Sequence, residues 1–207
     1  YRRDTGSKVT IHQLLNHTSG IPSYTDLPGF DEKYSRDPYE IDEFVKKFVS
    51  GDLQFEPGSN WNYNNSGYFI LGAIIEKLDG KTYAASLQKR ILDKIGMKDT
   101  GYDMHGVILP NRASGYQRAL GGYENAAYID TIYGYAAGAM YSTVRDLHKW
   151  DQALYGNKIL SESSKRVMFT PSKSYYGYGV FILDFPVAKK KLKIIQHSGG
   201  INGFSCD

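Results

Sequence analysis

Cysteine is almost missing from this sequence. Cys206 is the only one in 207 residues, which excludes an internal disulfide framework and a multi-cysteine metal site. Long apolar runs are missing too, since none reaches the roughly 18 residues a helix needs to cross a bilayer. Charge is nearly balanced. Against 25 Lys and Arg stand 22 Asp and Glu, and a net +3 is too small and too scattered to mark a nucleic-acid surface. The one basic run, Lys189-Lys190-Lys191 followed by Lys193, reads as a solvated hairpin tip. No internal repeat or low-complexity linker divides the chain, and no cofactor or metal is expected.

What is present suffices for one domain with a sizeable core, at 41% hydrophobic residues. Thr10-Ile11-His12-Gln13 has the form of a capping box, with Thr10 as N-cap and Gln13 reaching back. The short helix it opens breaks at Thr18-Ser19-Gly20, and Pro22 prevents its continuation. His17 reads either as a ligand or base, or as a histidine closing the helix on local backbone. Residues 23–40 read as a long surface loop. Ile41, Phe44, Val45 and Phe48 then recur at helical spacing up to Gly51. Further helices are expected from about Ser66 to Leu78, stopped by Asp79-Gly80, and from Thr82 to Ile95. Residues 98–135 are rich in Gly, Tyr and Asn and predict irregular loops with short strands. Tyr116, Tyr123, Tyr128, Tyr133 and Tyr135 could line a pocket there, or serve as half-buried packing. Thr143-x-x-Asp146 caps a helix with Val144, Leu147, Trp150 and Leu154 on one face. From Tyr175 the period changes to two strands around a Lys-rich turn, hence an antiparallel hairpin. Helices over about 10–170 and strands over about 175–207 make the fold class α+β.

The centre of the chain is Trp61-Asn62-Tyr63-Asn64-Asn65-Ser66-Gly67-Tyr68, which runs into Phe69-Ile70-Leu71-Gly72-Ala73-Ile74-Ile75-Glu76. In extended backbone Tyr63 and Asn65 leave the same face, and Asn65 or Ser66 can cap the apolar helix that follows. A phenol and an amide fixed there suit proton transfer. The plainer reading is a loop tyrosine and a capping asparagine.

Tyr63-x-Asn65 with Ser66-Gly67-Tyr68 resembles the second motif of the serine β-lactamase and penicillin-binding-protein superfamily. The likeness is to the branch of class C β-lactamases, D-alanyl-D-alanine carboxypeptidases and related esterases. Leu14-Leu15-Asn16-His17-Thr18-Ser19-Gly20-Ile21-Pro22 and His197-Ser198-Gly199-Gly200 are similar to the same branch, as is the linking segment from Gly138 to Leu147. The resemblance spans essentially the whole chain and implies a β-lactamase/transpeptidase-like fold over residues 1–207, with an antiparallel sheet, packed helices and a helical subdomain. It implies an acyl-enzyme mechanism on a small-molecule or peptidoglycan-peptide substrate: a β-lactam, a D-Ala-D-Ala peptide or a small ester. It also implies a periplasmic, secreted or cell-envelope location.

By that resemblance Tyr63 passes protons between nucleophile and leaving group. A phenol, near pKa 10, can act as base only beside cations that stabilise its phenolate. Asn65 would hold a lysine and donate its amide to the substrate, and Gly200 would offer its N–H to the oxyanion. Ser198 and Gly199 would border the substrate, with Gly199 leaving room for close approach. His197 stands where many β-lactamases carry lysine, and because histidine is only partly charged near neutral pH this weakens a β-lactam-specific reading. The nucleophilic Ser-x-x-Lys is expected upstream of Tyr1, in a longer protein. Ser86-Leu87-Gln88-Lys89 fits that pattern but follows the Tyr63 motif instead of preceding it, so Ser86 is not expected to be catalytic. The alternative is a β-lactamase-fold protein that binds or regulates without catalysis.

Overall fold

A computed structural model describes residues 1–188 and 190–207. Lys189, part of the basic run, lies outside the described residues. In chain order the helices are α1 (Arg3–Gly6), α2 (Ile11–Leu15), α3 (Phe30–Tyr34), α4 (Ile41–Phe44), α5 (Asn65–Asp79), α6 (Tyr83–Leu87), α7 (Asp93–Ile95), α8 (Thr131–Gly138), α9 (Val144–Tyr155) and α10 (Glu162–Met168). The strands are β1 (Gly101–Tyr102), β2 (Tyr116–Ala119), β3 (Gly122–Asn125), β4 (Met140–Tyr141), β5 (Phe181–Val187), β6 (Lys190–Gln196), β7 (Gly199–Ile201) and β8 (Phe204–Cys206). They form two-stranded antiparallel ribbons, β1–β4, β2–β3, β5–β6 and β7–β8, in place of the single sheet expected. The class is α+β. No helix among the described residues is long and apolar enough to cross a membrane.

The capping box at Thr10 forms in both directions, with Gln13 N–H on the Thr10 hydroxyl and Thr10 N–H on Gln13 Oε1. α5 is capped by Asn64, not by Asn65 or Ser66. Asn64 is extended, and its Oδ1 accepts the Gly67 N–H at 2.7 Å. Ser66 points inward instead and accepts the Tyr24 N–H at 3.0 Å. Gly80 ends α5 in the left-handed conformation, as the sequence predicts. The 41–51 helix continues past α4 as a π-helical turn, Val45–Val49, and the 82–95 helix likewise relaxes into one over Gln88–Leu92.

Phe69, on the buried face of α5, stacks on Phe44 with ring centroids 4.4 Å apart and planes 7° from parallel. Leu14, Ile21, Tyr24, Phe30, Val45, Phe48, Val49 and Tyr135 complete this core. Tyr135 thus belongs to the interior, while Tyr116, Tyr123 and Tyr128 are exposed. α8 crosses α5 closely: a side chain at Gly72 would meet the Ala136 methyl at 2.4 Å. α8 and α10 lie where the sequence carried no helical signal strong enough to read. Asp130 caps the first through the Ile132 N–H, and Ser161 caps the second.

α9 buries only the second half of its expected face. Leu154 is buried and Trp150 half-buried, Val144 and Leu147 are exposed, and Asp146 and Ala153 are buried as well. The Thr143 cap forms as expected, with the Asp146 N–H on its hydroxyl, and the Asp146 carboxylate turns inward because the Asp99 N–H, the Thr100 hydroxyl and Lys149 all bond it. The hairpin begins at Phe181, later than expected, with only a single bridge from Tyr176 before it. One face of β5–β6 carries Leu183, Phe185, Val187, Leu192 and Ile194, and Phe185 and Leu192 are each more than half exposed.

Candidate active site

Trp61 to Asn64 belongs to no helix or strand, with Asn64 extended, so its position depends on side chains and single backbone bonds. His17 supplies most of these. Its carbonyl accepts the Asn62 N–H at 3.0 Å, and its Nδ1 accepts the Asn64 N–H at 3.3 Å. The partners lie far along the chain. His17 does close α2, as the left-handed residue after Asn16 with the Thr18 N–H on the Gln13 carbonyl, but its side chain bonds no local backbone and instead ties the first motif to the second.

The Tyr63 ring sits between two histidines. Its centroid is 4.4 Å from that of His17 and 5.8 Å from that of His197. Tyr176 packs on the same group, 6.5 Å from Tyr63 and 5.9 Å from His197. The structure thus brings Tyr63 and His197 together from opposite ends of the chain. Burial pushes the Tyr63 phenol above its usual value, and no cation among the described residues offsets it. In this environment it is a neutral phenol at pH 7.

Asn65 opens α5 and is held from the segment 23–25. Its backbone N–H donates to Ser23 Oγ at 3.1 Å, its Nδ2 donates to Thr25 Oγ1 at 3.3 Å, and the two hydroxyls bond each other at 2.8 Å. With Nδ2 turned to Thr25, the carbonyl Oδ1 points elsewhere, suited to receive a cation. Within the expected loop, Tyr24–Asp26 is a 3₁₀ turn that fixes this amide.

His197 and Ser198 lie between β6 and β7, off the strands, and Gly199 and Gly200 begin β7. β8 follows, so this is not the last strand described. His197 Nδ1 donates to the Ser198 carbonyl at 2.7 Å, and Nε2 makes no hydrogen bond among the described residues. A side chain at Gly199 would meet Cys206 Sγ, on the paired strand β8, at 2.9 Å. The room at Gly199 is therefore taken up by Cys206. At Gly200 the space is open. Ser86 is buried in α6 while Lys89 is exposed, so that Ser-x-x-Lys pair does not come together. A hollow lined by His12, Asn16, Thr170 and Tyr178 opens on the surface, and neither Tyr63 nor His197 borders it.

His17 is 1% exposed, and burial, with the charge of His197 second, pushes its pKa down to about 3. The sign follows from linkage. An unfolded histidine takes up a proton below about 6.5, the folded one only near 3, so the unfolded state binds more protons in between. Stability is unaffected above that window and falls by about 1.4 kcal/mol per pH unit within it. Denaturant unfolding at pH 7.5 and 5.0 should differ by about 2 kcal/mol from this group. His17→Asn should remove that difference. Equal slopes in parent and variant would show that His17 does not carry it.

The Beta-lactamase family model matches residues 1–206. The chain is 32% identical to penicillin-binding protein 4* of Bacillus subtilis (strain 168) over 95% of its own length and 47% of that protein's. It is 35% identical to the esterase EstB of Burkholderia gladioli over 45% of this chain and 26% of that one. Among solved structures, a D-stereospecific amidohydrolase from Streptomyces sp. superposes with a TM-score of 0.84 at 28% identity, covering 97% of this chain and 63% of that one. The chain spans about half the length of the first of these relatives. By a match over nearly all its residues, the chain belongs to the Beta-lactamase family.

Proposed function

We propose that residues 1–207 are part of a single hydrolase domain, and that the full-length protein cleaves an amide or ester through an acyl-enzyme. The nucleophile in this reading is the serine of a Ser-x-x-Lys segment that precedes Tyr1 in the full-length protein. The convergence of Tyr63 and His197, with rings 5.8 Å apart, carries the proposal. Tyr63 would accept the serine proton and return it to the leaving nitrogen or oxygen. Its raised pKa requires a cation beside it for that task, and the lysine of the same segment, received by Asn65 Oδ1, supplies one. His197, Ser198 and Gly199 would flank the substrate, and the open face at Gly200 suits a backbone N–H aimed at the oxyanion.

The relatives include a penicillin-binding protein, an esterase and an amidohydrolase. The proposed substrate class accordingly covers β-lactams, D-amino-acid peptides and small esters, met outside the cytoplasm.

Mass spectrometry of the full-length protein after reaction with benzylpenicillin and with a nitrophenyl ester tests this. An acyl adduct on one serine is expected with at least one of them. No adduct with either would favour a binding protein that has kept the fold.

A further inference from the structure

His17 is costly for a residue that merely fills space. Its φ of 59° closes α2 in the left-handed conformation, a place that glycine or asparagine takes at less cost than a histidine. Its side chain is fully buried, and Nε2 has no hydrogen-bond partner among the described residues. Because Nδ1 accepts the Asn64 N–H, the neutral ring keeps its proton on Nε2, an orphan donor inside an aromatic wall. Tyr63, Tyr176 and Tyr68 lie at 4.4, 4.7 and 5.2 Å, and Trp61 meets it edge-on at 6.2 Å. A leucine would pack there without an orphan, and an asparagine would accept the backbone angle with less strain. Neither joins a flat face for the Tyr63 ring to an acceptor for the Asn64 N–H.

Tyr63 needs that hold. It is 37% exposed, and no hydrogen bond to its hydroxyl among the described residues orients it. Asn62 and Asn64, on either side of it, both bond His17.

We propose that His17 is a positioning residue for Tyr63: it holds the phenol in its proton-transfer orientation through the ring contact and the two flanking backbone bonds. The inference rests on the proposed role of Tyr63. Placement errors of an ångström cost catalysis up to about 100-fold without touching the chemistry itself.

The test is a double-mutant cycle in the full-length protein, read as kcat and KM for a nitrophenyl ester. His17→Asn tolerates the left-handed backbone and offers Oδ1 near the place of Nδ1, but it removes the ring. It should lower kcat about 10- to 100-fold with KM within about threefold, and change kcat less than about threefold in a Tyr63→Phe background. The same loss in both backgrounds, or full kcat in folded His17→Asn, overturns this inference alone. Full turnover in Tyr63→Phe by itself overturns both the reading of the site and this inference. Should His17→Asn not fold, 3-fluorotyrosine at position 63 of the otherwise unaltered protein decides. One dominant ring rotamer in the ¹⁹F spectrum supports the hold, and two equal, freely exchanging populations overturn it.

Discussion

Tyr63→Phe in the full-length protein is expected to lower kcat by about 10²–10⁴, the usual contribution of a positioned proton-transfer group. The substitution removes one oxygen and keeps the ring, so the contacts with His17, Tyr176 and His197 survive. KM should stay within a few-fold, because substrate binding is assigned to the 197–200 segment. Steady-state hydrolysis of a chromogenic ester reads both constants. Stability should change by less than about 1 kcal/mol, since the hydroxyl lost has no bond among the described residues. A variant that turns over like its parent would remove Tyr63 from the chemistry and leave it as packing for two histidines.

The largest loss of stability is expected from Phe69→Ala. Phe69 is fully buried, lies flat on Phe44 at 4.4 Å, and touches Tyr135 at 4.7 Å and the edge of Tyr24 at 6.1 Å. Truncation removes the ring from a site whose other walls are aromatic and cannot collapse inward, which typically costs 3–5 kcal/mol, about half of a domain's net stability. Phe69→Leu fills part of the space and should cost less than half as much. Equilibrium denaturation of the three proteins measures this. A cost below about 1 kcal/mol for Phe69→Ala would mean that α5 is not anchored by this stack. The effect should also reach the site, because Asn65 and Ser66 open the same helix one turn earlier.

The central motif was legible because its signals are local and agree: extended residues, an asparagine cap, an apolar run and a terminal glycine. Even so, the cap fell on Asn64, since three adjacent polar residues offer the same chemistry and only the inward turn of Ser66 toward Tyr24 breaks the tie. The pairing of Tyr63 with His197 was readable only through family resemblance, because no periodicity links residues so far apart. His17 reads correctly as the close of its helix, but its partners Asn62 and Asn64 are long-range and out of reach for the same reason. In α9 the Thr143 cap and the burial of Leu154 follow the sequence, but at the N-terminal end Asp146 finds three donors inside the protein, and that bonding outweighs the burial of Val144 and Leu147. The irregular stretch at 98–135 was read as loop with short strands, and β1 to β3 fit that; α8 did not show, being short, glycine-interrupted and kinked at Tyr135.

The β5–β6 ribbon has a practical consequence. Its apolar face is partly open, and two-stranded ribbons leave unpaired backbone along their outer edges. Such a ribbon invites edge-to-edge aggregation, whose turbidity mimics loss of fold and whose trapped dye mimics ligand uptake. Assays of this sequence belong at low concentration, with light scattering recorded beside every signal.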